Sequence, residues 1–151
     1  MSPRLARIAA RMVASPRFEQ GVRAFFSDML LFEKFEELAK DPVIYPYFNQ
    51  DVLQALPEQT LRTITGHLLR KNGSYQELFS TPNTVMTRSI GALYKVPVRQ
   101  LSGWEDYVFP AKDDRAGLLG QAGFLAIYSH SGRSSPTLRG RAIREVLMCQ
   151  P

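Results

Sequence analysis

The stretch DRAGLLGQAGFLAIYSHSGRSSPTLRGRAIREVLMC, Asp114 to Cys149, decides the reading of the fold. Leu118 to Tyr128 is apolar nearly all round, which predicts a deeply buried helix. Leu138 to Met148 has Leu138, Ala142 and Val146 at helical spacing, with Arg139, Arg141 and Arg144 toward the other side. Between them lies a polar loop, Ser129–His130–Ser131–Gly132–Arg133–Ser134–Ser135–Pro136. Ser135 before Pro136 is a helix start, with the hydroxyl as cap and proline at the first helical position. The end of the chain therefore predicts a helix pair joined by an Arg-bearing loop.

Helical spacing continues upstream. Ser2–Pro3 and Ser15–Pro16 read as two helix starts. Leu5, Ile8, Ala9 and Met12 share one face of the first helix, and Phe18, Val22, Phe25, Phe26, Met29 and Leu30 share one face of the second. Phe32 to Lys40 reads as helical up to Asp41–Pro42. Pro57 is expected to open a helix with Leu61, Ile64 and Leu68 inward, closed at Asn72–Gly73. Ser74 caps a short helix, and Thr84 is expected to start another, with Met86, Ile90 and Tyr94 on one side. From 96 to 115 the period is lost, and Trp104, Tyr107, Val108 and Phe109 pin a long connector that could include a short extended piece. No useful period-two run appears. The expected class is all-α: an irregular helical bundle of seven or eight helices with one long connector at 96–115.

The chain has 151 residues, 44% of them hydrophobic and 22% charged, which is globular composition long enough for a real core. The net charge is +5. Its cations are spread along the chain, whereas a nucleic-acid footprint gathers them on one face, so nucleic-acid binding is the less favoured reading. One cysteine excludes an internal disulfide. No run reaches the roughly 18 apolar residues of a membrane span. The N-terminus lacks the apolar core of a secretory signal.

No complete catalytic set is spelled out. His67, alone in a helix, reads as a packed or surface residue. His130 is the one candidate for proton transfer, since an imidazole titrates near neutral pH. Two histidines and one cysteine far apart do not make metal-ligand spacing, and no metal site is expected. A Ser/His/acid triad lacks its nucleophile elbow. Arg133, Ser134 and Ser135 at a helix start could draw an anion or an anionic partner. The plainer reading is a helix cap with Arg133 bonded locally. Gly140 would let a neighbouring backbone approach.

These residues also carry a resemblance. Arg115–x–Gly117–Leu118–Leu119, the SHSGRSSPTLRG loop and the closing LMCQP resemble domain of unknown function 1588. FFSDMLLFEKF (25–35) and LRTITGHLLRKNGSYQELFSTPNTVMTRSIGALYKV (61–96) resemble its companion, domain of unknown function 1592. The resemblance implies a division into 1–96 and 97–151, packed as one compact unit. It implies a bacterial, cytochrome c-associated family whose members are usually exported, with a CxxCH haem-attachment domain downstream. This chain has no CxxCH, so the implied haem c belongs to a neighbouring domain or partner and no cofactor to the chain itself. The loop departs from the family form at Ser131–Gly132; the carry-over falls on Arg133, Ser134, Ser135, Pro136, Arg139 and Gly140. The expectation is a helical module, a fragment or part of a larger exported haem-associated redox-type protein, in a binding or docking role. Two alternatives stay open: an enzyme acting on an anionic or carbohydrate-like substrate through the 129–141 loop, and a basic nucleic-acid-binding protein.

Overall fold

The computed structural model describes residues 2–150. Six α-helices are present among them: α1 (Pro3–Val13), α2 (Phe18–Met29), α3 (Gln50–Thr65), α4 (Arg88–Tyr94), α5 (Ala122–Ile127) and α6 (Pro136–Ala142). Two strands, β1 (Asn83–Met86) and β2 (Glu105–Val108), pair antiparallel, with Asn83 opposite Val108 and Met86 opposite Glu105. The class is therefore mixed, and the all-α expectation of seven or eight helices is corrected. The missed strand β1 is four residues long and alternates half-buried with buried, so Thr84 and Met86 alone face inward. Two inward side chains are too few for periodicity to register. Its partner β2 is the short extended piece expected in the 96–115 connector, and it pairs with β1. Thr87, not Thr84, begins the next helix: its hydroxyl accepts from Ile90 N at 3.3 Å.

α3 is the element on which the others pack. Asn49 caps it, its side chain accepting from Val52 N at 3.0 Å. The helix runs through Pro57 instead of starting there. An interior proline removes one ladder bond and costs about 3 kcal/mol. Packing offsets that, because Val52, Leu56 and Ile64 of this helix are fully buried. α3 also buries Gln59, Thr60 and Thr63. Buried amides and hydroxyls need partners, and these find most of them in β1 and in Gln121, Gln59 Oε1 alone of this set being left without one. Gln59 Nε2 donates to Val85 O at 3.1 Å, Thr60 Oγ1 to Gln121 Oε1 at 2.7 Å, and Gln121 Nε2 to Thr63 Oγ1 at 3.2 Å.

That bonding explains a second correction. The expected continuous helix Leu118–Tyr128 is broken: Leu118–Gly120 is a 3-10 turn, Gln121 is extended, and only Ala122–Ile127 is α-helical. Gln121 leaves the helix so that its amide can enter the polar core. Phe32–Phe35 is likewise a single 3-10 turn after a left-handed Leu31, not a helix to Lys40. His67 is structural: its Nε2 lies 3.0 Å from Ser74 O, and Ser74 and Glu77 bond reciprocally as a capping box.

α1 has no buried residue, and Leu5 and Met12 of its apolar face are 58% and 62% exposed. The expected inward face of α2 packs in part: Phe26 and the following Leu30 join a cluster with Leu61, Ile64, Leu78 and Leu118, whereas Phe25 is exposed.

Gly117 sits at φ 67°, ψ 171°, and a Cβ there would meet Phe79 O at 2.1 Å. That backbone region is essentially restricted to glycine. Gly21, in contrast, lies in α2 with nothing within 4 Å of an added Cβ. Denaturant unfolding of Gly117→Ala is expected to show a loss of about 3 kcal/mol. Gly21→Ala is expected to gain about 0.5–1 kcal/mol.

Candidate functional site

Lys40 and Asp41, just before a Pro42 turn, reach across to the loop between α5 and α6. Lys40 Nζ donates to Ser129 Oγ at 2.8 Å, His130 O at 2.9 Å and Ser129 O at 3.3 Å. Asp41 N donates to Ser131 O at 3.1 Å. The ammonium thus spends its hydrogens on neutral oxygens and has no carboxylate in its hydrogen-bond set. Burial lowers its pKa below the ordinary lysine value of 10.5.

This strap closes one side of a cleft of about 400 Å³. α4 supplies Leu93 and Tyr94, α5 supplies Ala122, Leu125 and Ala126, and the 43–49 loop supplies Tyr45 and Phe48. Lys40, Arg115, Arg139, Ser129 and Ser134 complete the lining, which contains no carboxylate. Tyr94 Oη accepts from Ala122 N at 2.6 Å, fixing α4 against the start of α5. Burial pushes the Tyr94 hydroxyl pKa up, against the opposing pull of the Ala122 amide and the Arg115 charge. Arg115 lies over the Tyr94 ring, 5.2 Å from its centroid, a cation–π contact that leaves the guanidinium edge free for an anion. The ion pairs formed among the described residues involve Arg23, Arg62, His67 and Arg141, and neither Arg115 nor Arg139.

The residues singled out from sequence divide. Ser134 and Arg139 line the cleft. His130 is exposed and outside its lining; its backbone amide donates to Arg133 O at 3.0 Å. Arg133 is exposed and also outside the lining. Ser135 is buried as the cap of α6, its Oγ accepting from Leu138 N at 3.3 Å. Gly140 faces open space, with nothing within 4 Å of an added Cβ, so no neighbouring backbone approaches it. Sequence reasoning missed Lys40, Arg115 and the aromatic wall of Tyr45, Phe48 and Tyr94. The one local signal is VIYPYFN, 43–49, where Tyr45, Tyr47 and Phe48 crowd around a proline.

A larger open cleft, between α3 and the 101–104 loop, carries Asp51 and Glu58 beside Arg88. Glu58 is already paired with Arg23 and Arg62. Its charges are balanced, whereas those of the Lys40 cleft are all positive. No group of three or more His, Cys, Asp or Glu among the described residues is placed to hold a metal ion. Cys149 is the single cysteine and is exposed. No described helix is long and apolar enough to cross a membrane.

The fold is a small mixed scaffold with a two-stranded sheet and a cleft lined by three cations. Residues 2–96 match the family described as protein of unknown function (DUF1592), and the chain belongs to that family. The match includes Lys40, Tyr45, Phe48, Leu93 and Tyr94, and ends before Arg115, Ser129, Ser134 and Arg139. It extends neither to the 97–151 segment nor to a haem-bearing domain. No curated protein and no solved structure matches the chain.

Because burial lowers the Lys40 pKa, the unfolded chain binds more protons in the alkaline range just below 10.5. The cost is fully present below the folded pKa and is relieved as pH rises toward 10.5. Wild-type stability relative to Lys40→Met should therefore rise with pH in that window. At neutral pH Lys40→Met is expected to cost about 1 kcal/mol and to speed hydrogen exchange at the His130 amide.

Proposed function

We propose that this chain is a non-catalytic binding module that seats an anionic group of a ligand or partner in the Lys40–Arg115–Arg139 cleft. One observation carries the reading: three cations converge on a cavity whose lining holds no acid. An incoming anion would gain charge-assisted hydrogen bonds from Arg115 and Arg139, which take part in no ion pair among the described residues. The docking role implied by the family resemblance is compatible with this, the anion then being carried by a neighbouring domain of a longer protein. His130, the candidate named from sequence, does not line this cleft.

The test is an NMR titration with inorganic phosphate, sulfate and benzoate at constant ionic strength. At least one anion should shift the Leu125, Ser129 and Ser134 amides together. Arg115→Gln and Arg139→Gln should each weaken that binding about tenfold. If no anion moves those amides in the folded wild type, the reading is wrong.

A further inference from the structure

We infer that the ligand of this cleft is an organic monoanion, one carboxylate on a compact apolar body such as a single ring or a short chain. The inference rests on the anion-binding reading above and concerns which anion. Size argues first. A water molecule takes about 30 Å³ of liquid volume, so a cleft of about 400 Å³ is far larger than a bare inorganic anion needs. Such an ion would leave Phe48, Leu93 and Leu125 facing water, with no gain from covering them.

The walls argue second. Ala122 and Ala126 lie one turn apart on the same face of α5, and Leu125 lies beside them. Their small side chains leave a shallow trough between that helix and Leu93 of α4, with Phe48 at its edge. An apolar surface with a few convergent polar groups is the usual form of a small-molecule site.

The polar groups argue third. Lys40 has committed its hydrogens to Ser129 and His130, so it supplies field and no direct bond. Arg115 and Arg139 are left as the direct donors, and a guanidinium edge matches a carboxylate through two parallel hydrogen bonds. Ser134 and Tyr45 add neutral hydroxyls at the same cleft. A sugar is disfavoured by the same lining, because the strong carboxylate and amide acceptors that suit its hydroxyls are missing there: no Asp, Glu, Asn or Gln lines the cleft.

The probes are benzoate, its neutral isostere benzamide, and inorganic phosphate, titrated by NMR at constant ionic strength on wild type, Arg139→Gln and Leu125→Ala. Benzoate should bind at least tenfold more tightly than either other probe. Arg139→Gln should remove that advantage over benzamide. Leu125→Ala should weaken benzoate severalfold and leave phosphate unchanged. Phosphate binding as tightly as benzoate, with both weakened in Arg139→Gln, would overturn the ligand class and keep the anion reading. Benzamide binding as tightly as benzoate, or no binding by any probe to folded wild type, overturns both. Circular dichroism and melting of each variant establish that it is folded before its titration is read.

Discussion

The structure depends on a buried set of amides and hydroxyls shared by α3, β1 and Gln121. Such groups are costly to bury unless bonded. Gln121 bonds both Thr60 and Thr63, Thr63 meets Thr84, and Gln59 bridges to Val85. A purely apolar contact between these elements could slide. A bonded one has one register, which is why the short sheet, the central helix and the start of α5 hold fixed relative positions.

The cleft inherits its shape from that constraint. Gln121 is extended because its amide is committed to α3, and α5 therefore begins at Ala122, whose backbone amide meets the Tyr94 hydroxyl. Tyr94 in turn carries Arg115 on its ring. On the far side, Lys40 and Asp41 hold the turn after α5 by four hydrogen bonds. The cations are thus placed by neutral oxygens, a peptide amide and an aromatic face. None of these cancels charge, and the cavity stays positive.

Much of the helical part was legible because its signals are local. The inward faces of α2 and of Leu61–Ile64, the left-handed Asn72 and the caps at Ser74 and Ser135 all follow from spacing within a few residues. What stayed hidden is non-local. β1 exists because a distant segment pairs with it and because Gln59 reaches Val85. The break at Gln121 needs Thr60 and Thr63, which lie far upstream. Pro57 reads as a helix start by every local rule, and only the burial of Leu56 and Ile64 makes an interior position tolerable. At the cleft, Ser134 stood out beside a helix start and Arg139 through the family resemblance. Lys40 and Arg115 look like ordinary surface cations until the chain folds them to one place.

The bare face of α1 has a thermodynamic consequence. Eleven residues that bury nothing form a segment near the length at which a lone helix in water is barely favourable. The coil–helix balance of this arm is therefore set less by its own sequence than by whatever shields its leucine, isoleucine and methionine. Total ellipticity then reports on that shielding, and co-solvents or crowding that favour burial will wind the arm before they alter the core.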